Sequence, residues 1–312
     1  MGRKNLHIVT SAHVTQILQE NGRAAGVQWL QSGERLEARV DGEVLLAAGA
    51  LQSPQILQLS GIGPAALLRS HGIAVNADAP DVGSNLQDHY QARVIVKLRK
   101  AHSLNDDVRS PLRLAQMGAQ WLFQKRGPLT VGAGQVGGLA CTEHAQGGRA
   151  DVLFNVMPLS VDKPGDSLHR FSGFSASATQ CRPVSSGTVQ LQSADPTLAP
   201  RIVSNYLRES QDVRVLVAGL RQLREIYEQP AFRGLVTGEE YFPGNGVIGD
   251  KALEAFARER GGTVYHPVGT CRMGADQQAV VDERLRVRGV DGLRVIDASV
   301  MPRLVSTNTN AA

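Results

Sequence analysis

The segment with the most chemical potential is Tyr265-His266-Pro267-Val268-Gly269-Thr270-Cys271-Arg272-Met273-Gly274. Pro267 confines His266 to extended backbone, and the glycines around it allow the chain to present the imidazole to a pocket. An imidazole titrates near pH ~6.5, so it can take a proton at neutral pH. Read from these residues alone, a loop histidine holding a structural hydrogen bond is the better account. A metal pair with Cys271 is weaker still, because no third ligand lies nearby.

Three other segments carry possible binding chemistry. Gly49-Ala-Leu-Gln-Ser53-Pro54-Gln-Ile-Leu-Gln-Leu-Ser60-Gly61-Ile-Gly63 follows an apolar run, so Ala48 and Gly49 could let a cofactor approach bare backbone. A plain strand-to-helix connection explains the same pattern equally well. Gly292-Leu-Arg-Val-Ile-Asp297-Ala298-Ser299-Val-Met-Pro302 is a strand ending in an acid. Ligands of open α/β sheets bind at such ends, although Asp297 could equally cap a turn. Gly132-Ala133-Gly134-Gln-Val-Gly137 satisfies GxGxxG. It follows a loop-like stretch and has too few residues after it for the required helix, so it reads as a coincidental glycine loop.

The elements that must position these residues fall into two kinds. Residues 5–46 read as β-structure, with Asn5–Val9 a short apolar run and turns at Asn21-Gly22 and Ser32-Gly33. Val44–Ala48 reads as a strand buried on both faces, as in a parallel sheet, and a helix is expected to begin near Ser53-Pro54. Pro64–Ser70 is a second short helix. Asp81–His89 is a polar corner where the chain is expected to cross between domains. Beyond it come a strand at Tyr90–Leu98, a helix at Pro111–Gln124, and short strands within 127–205. Two further helices follow, Glu209–Glu228 and Gly249–Arg260. In the first, Val213, Leu216, Val217, Leu220 and Leu223 share a face.

Composition excludes several classes. The 312 residues carry a net charge of +4 with no dense Lys/Arg run, which argues against nucleic-acid binding. No apolar stretch is long enough for a signal peptide core or a transmembrane helix. The three cysteines are far apart and form no CxxC pair, against a disulfide framework or structural zinc site. The expected compartment is the cytoplasm, with peripheral contact with the inner membrane left open.

Taken together and in this order, the segments resemble the glucose–methanol–choline (GMC) family of flavin oxidoreductases. Gly49–Gly63 is similar to the family's second signature, and Asp81–His89 to its VGxNLQDH corner. Arg182-Pro-Val-Ser-Ser-Gly-Thr-Val189 with Ser193-Ala-Asp-Pro196 resembles the start of its C-terminal region. His266–Gly274 resembles the catalytic segment, and Gly292–Pro302 with Ser306–Asn310 the closing one. Ser186 stands where the family often has Arg.

The resemblance implies a mixed α/β fold: part of a Rossmann-like FAD domain at 1–90, a substrate domain with an antiparallel sheet flanked by helices at 91–262, and a return to the FAD domain at 263–312. It implies FAD-dependent oxidation of a primary alcohol, of choline or alkanol type, by hydride transfer to flavin N5. His266 would be the base and Asn308 the second catalytic residue. Val14, Ala48, Gly49, Asp297, Ala298 and Asn310 would contact FAD. The partners implied are the alcohol and an electron acceptor, either a quinone-type carrier or oxygen. The family's own GxGxxG would lie upstream of Met1 and its final helix beyond Asn310. The expectation is therefore a C-terminal fragment, with an inactive remnant unable to hold FAD as the alternative and a split enzyme as a third reading.

Overall fold

A computed structural model describes residues 3–99, 101–132, 134–163 and 165–311. The chain divides into two compact units, one of Met1–Asp88, Ser185–Tyr206 and His266–Leu304, the other of His89–Val184, Leu207–Tyr265 and Val305–Ala312. Compared with the expected boundaries, the segment Ser185–Tyr206 lies with the first unit and the last eight residues with the second. Among the described residues no helix is long and apolar enough to cross a membrane.

In the first unit, His13–Glu20, Arg23–Gln31 and Glu34–Arg39 form an antiparallel meander. Its turns carry Asn21 and Ser32 at positive φ, each followed by a glycine also at positive φ, as tight two-residue connections require. Val44–Leu46 and Leu293–Val295 form a parallel pair, and the chain enters the helix Gly49–Leu59 directly afterwards. Ile17, Leu57, Ile62, Val82, Val281 and Leu293 are among the aliphatic residues of one continuous core. Removal of such surface from water is the main term holding the unit together.

Three local expectations are corrected here. Asn5–Val9 is not a strand; Leu6, Ile8 and Val9 are half exposed and no neighbouring strand pairs with them among the described residues. Val44–Ala48 is not a strand buried on both faces: it ends at Leu46, and Leu45 is 55% exposed. The apolar run does form a parallel strand, but its outer face is uncovered. The helix starts at Gly49 rather than near Ser53-Pro54. The reason is tertiary: the Asp297 carboxylate accepts the Gly49 N–H at 2.9 Å and the Ser53 hydroxyl at 2.5 Å. A cap supplied from 248 residues away overrides the local start signal.

The second unit is built on an antiparallel sheet in the order Val236–Phe242, Tyr90–Leu98, Gly173–Gln180, Val152–Met157, Val136–Ala140, with Gly262–Thr263 also pairing Tyr90–Leu98. Every residue of Gly173–Gln180 is buried, and the helix Ser210–Tyr227 lies against that strand. The five apolar residues expected on one helix face are all buried. Gly219 permits the close approach, since a Cβ there would come within 2.8 Å of Val152. The helix Pro111–Ala119 continues as a π-turn through Gln124, and Asp250–Arg260 forms the other long helix. Gly137 of the GxGxxG sits in the strand Val136–Ala140, with no helix after it; Ala133 lies outside the described residues.

Candidate active site

His266 opens a segment that is tied down along its length within the first unit. Gln87 and Val268 exchange both backbone hydrogen bonds, at 3.0 and 2.8 Å, and Gly83 N–H donates to Thr270 at 2.8 Å. The corner Asp81–Asp88 and the segment after His266 therefore run as a short antiparallel pair. Gly83 and Gly269 both have positive φ. A Cβ on Gly269 would lie 2.4 Å from the Asn85 carbonyl oxygen of the paired corner, and one on Gly83 would lie 2.0 Å from the Val189 carbonyl oxygen, so only glycine allows these approaches. Asn85 donates its amide to Gly269 and Pro302, and Arg272 clamps Asp81 at 2.9 Å.

The same segment is bound to the proposed cofactor backbone. Cys271 and Met273 donate to Ser299 and Val300 at 2.9 and 2.8 Å. The buried Thr270 hydroxyl donates to the Ala50 carbonyl at 2.6 Å. That carbonyl is the one a helical N–H four residues on would take, but residue 54 is proline and has none. Thr270 supplies the missing donor. It also joins the histidine segment to the helix that Gly49 begins.

Asp88 is buried, and its carboxylate accepts the His266 N–H at 2.9 Å and the Tyr206 hydroxyl. Burial pushes the His266 imidazole below its ordinary range, with the Asp88 charge opposing the shift. The histidine is therefore biased toward its neutral, proton-accepting form. Cys271 is fully buried and its thiol is pushed far up by that burial, so it packs as a small apolar group.

Ala48, Gly49, Asp297 and Ala298 come together at the start of the helix Gly49–Leu59. Asp297 Oδ2 holds Gly49 and Ser53, while Oδ1 accepts Ser299 N–H at 2.8 Å and caps the turn Ala298–Val300. Its carboxylate is thus engaged by the protein's own donors, the cap geometry that its sequence position left open. Gly49 has φ 83°, and an ideal Cβ there meets no atom within 4 Å. With the exposed Ala48 before it, this leaves bare backbone, as a flat cofactor packed against main chain requires; the residues fit FAD in this respect. Val14 lies on His13–Glu20, at the edge of the three-stranded sheet and beside a register irregularity.

Asn308 and Asn310 belong to the second unit. Both are exposed, Asn308 just before the turn Thr309–Ala311 and Asn310 within it. Arg182 holds this tail: its guanidinium donates to Ser306 at 3.1 Å and to the Ala150 and Arg149 carbonyls. The same unit contains an open cavity of about 1410 Å³ lined in part by Tyr241, Phe242, Asp162 and Arg93. Lys97 lies 5.6 Å over Tyr241, and Arg260 lies 5.9 Å over Phe242. Each ring already faces a cation of the protein's own.

Asp88, Thr270 and Arg182 were given no individual role by the motifs. Asp88 and Thr270 find their partners 118 to 220 residues away, and no local periodicity signals such pairs. The one readable clue was Pro54, whose missing N–H implies an outside donor to residue 50.

Two GMC oxidoreductase models match the chain, one over residues 1–91 and one over 183–312, together well over half of it. The chain belongs to the GMC oxidoreductase family, whose members are FAD flavoproteins. It is 40% identical over 311 residues to an oxygen-dependent choline dehydrogenase of Ectopseudomonas mendocina (strain ymp), covering 99% of this chain and 54% of that protein. It is 37% identical to an alcohol dehydrogenase [acceptor] of Pseudomonas putida, covering 99% and 56%. The chain spans about half the length of the curated relatives it matches. Among solved structures, an R554A variant of formate oxidase from Aspergillus oryzae superposes with a TM-score of 0.88 at 25% identity, over 95% of this chain and 57% of that one. Pyridoxine 4-oxidase from Mesorbium loti gives 0.83 at 27% identity, over 99% and 56%.

Proposed function

We propose that this sequence forms part of an FAD-dependent alcohol dehydrogenase that oxidises a primary alcohol, of choline or alkanol type, to the aldehyde. In this reading the first unit holds the flavin and the second forms the substrate side. Bound FAD supplies the hydride acceptor, at N5. His266 takes the hydroxyl proton on its imidazole, whose burial keeps it neutral and receptive near pH 7. The side-chain amide of Asn308 donates a hydrogen bond to the developing alkoxide; an amide cannot accept that proton, so the base role falls to His266. Ala48 and Gly49 offer main chain to the cofactor, with Asp297 holding Gly49 and Ala298 in place. Val14 and Asn310 are the remaining proposed contacts.

The observation that carries the reading is the hydrogen-bonded joining of the His266 segment to Ala50 and to Ser299–Val300, which fixes the proposed base to the proposed cofactor backbone. The test is anaerobic bleaching of the flavin in the whole protein that carries this sequence, across a panel of primary alkanols and choline. Bleaching by alkanols supports the reading, and no bleaching by any alcohol refutes it. Reoxidation by oxygen against a quinone then assigns the electron acceptor.

A further inference from the structure

We infer that Asp88 is a positioning residue for His266: its carboxylate fixes the backbone from which the imidazole is presented, and the Tyr206 hydroxyl fixes the carboxylate in turn. The inference rests on the reading of His266 as the base.

In the antiparallel pairing of Gln87 with Val268 the next hydrogen-bonded position would set His266 opposite His89. The His89 carbonyl instead accepts the Val264 N–H at 3.1 Å. The register shift leaves the His266 N–H outside the ladder. The Asp88 carboxylate takes over there, accepting the His266 N–H at 2.9 Å. An ionised acceptor makes this bond stronger than the amide–amide bonds it replaces. The second carboxylate oxygen accepts the Tyr206 hydroxyl. Tyr206 follows Asn205, which has φ 54° and donates its side-chain amide to Ser186. Gly187, next to Ser186, exchanges backbone bonds with Leu86 at 2.8 and 3.0 Å. Three chain segments thus converge on one buried carboxylate, and its outlet is the histidine backbone. Asp88 is 7% exposed, so its two oxygens hold their partners with little competition from water. A negative charge at this distance also favours the protonated imidazole, opposing the burial of His266.

The experiment uses the whole protein that carries this sequence. Asp88→Leu removes the acceptor, Asp88→Asn keeps an acceptor oxygen for the His266 N–H without the charge, and Asp88→Glu keeps the charge but displaces it by one methylene. Hydrogen–deuterium exchange on peptides spanning 264–270 reads the backbone, with the remaining peptides of the first unit confirming the fold. Loss of a charged acceptor accelerates exchange at His266 by about ten- to a hundredfold. Asp88→Leu is expected to show this acceleration and a fall in kcat with KM little changed. Asp88→Asn restores the slow exchange and most of kcat. Asp88→Glu gives an intermediate loss in kcat alone. Unchanged exchange in Asp88→Leu overturns the anchor itself, as does an Asp88→Asn no better than Asp88→Leu. Accelerated exchange with unchanged kcat overturns the positioning role, and a His266→Ala variant that also keeps its kcat traces that failure to the reading of His266 as the base.

Discussion

Replacing Thr270 by Val tests the link between the histidine segment and the helix Gly49–Leu59. The two side chains have nearly the same shape, so the change removes the hydroxyl that donates to Ala50 at 2.6 Å and leaves packing in place. Thr270 is 0% and Ala50 4% exposed, so water is a poor substitute. A buried carbonyl left without its donor costs roughly 1–3 kcal/mol. Pro54 is what makes Thr270 necessary, and this permits a double-mutant cycle. In Pro54→Ala the helix regains an N–H directed at the Ala50 carbonyl, and Thr270→Val should then cost about 0.5 kcal/mol or less. The coupling between the two positions is therefore about 1–2 kcal/mol. The assay is urea unfolding followed by fluorescence in a Trp121→Phe background, in which Trp29, the other of the two tryptophans, reports on the first unit. An equal loss from Thr270→Val with Pro54 intact and in the Pro54→Ala background would refute the reasoning, because the carbonyl would then not depend on which donor reaches it.

Glycines separate steric from conformational cost. Gly83→Ala would put a Cβ 2.0 Å from the Val189 carbonyl and should destabilise the first unit by about 3 kcal/mol or more. Gly49→Ala, at the same φ of 83° but with no atom within 4 Å, should cost only about 1 kcal/mol while weakening FAD retention; unfolding curves and flavin absorbance check the pair. In the second unit, Glu240 is nearly buried and pairs with Arg224 while accepting the Tyr227 hydroxyl. Glu240→Gln leaves the guanidinium uncompensated and should cost about 3–5 kcal/mol, read through Trp121 emission. For His266, burial depresses the folded-state pKa below the ordinary value near 6.5. The acidic limb of kcat/KM against pH is therefore expected below about 6.5. The unfolded chain binds the proton more readily, so this histidine's contribution to stability is full above about 6.5 and is lost as pH falls from there through its depressed folded-state pKa. A limb lying above it would contradict the assignment.

Local patterns made much of the architecture legible. The helix Ser210–Tyr227 and the strand Tyr90–Leu98 follow from periodicity, because each buries one predictable set of side chains. The turns at Asn21-Gly22 and Ser32-Gly33 follow from the backbone freedom of their residues. Elements whose limits are set from afar were not legible in the same way. The helix at Gly49 starts where Asp297 caps it, and Val44–Leu46 ends as a short parallel partner of Leu293–Val295, far along the chain. His266, Gly49 and Asp297 were found as members of an ordered set of motifs. Asp88 and Thr270 lay within those motifs without an individual role, since a carboxylate or hydroxyl whose partner lies more than a hundred residues away leaves no periodic trace.

The central claim is that His266 takes the substrate proton. Its direct measurement is the anaerobic stopped-flow rate of alcohol-dependent flavin reduction in His266→Ala, set against the unaltered whole protein. General-base catalysis is worth about 10²–10⁴ in rate, and a loss of that size with flavin still bound is the predicted result. A variant that retains its flavin and reduces it at a near-normal rate would contradict the account.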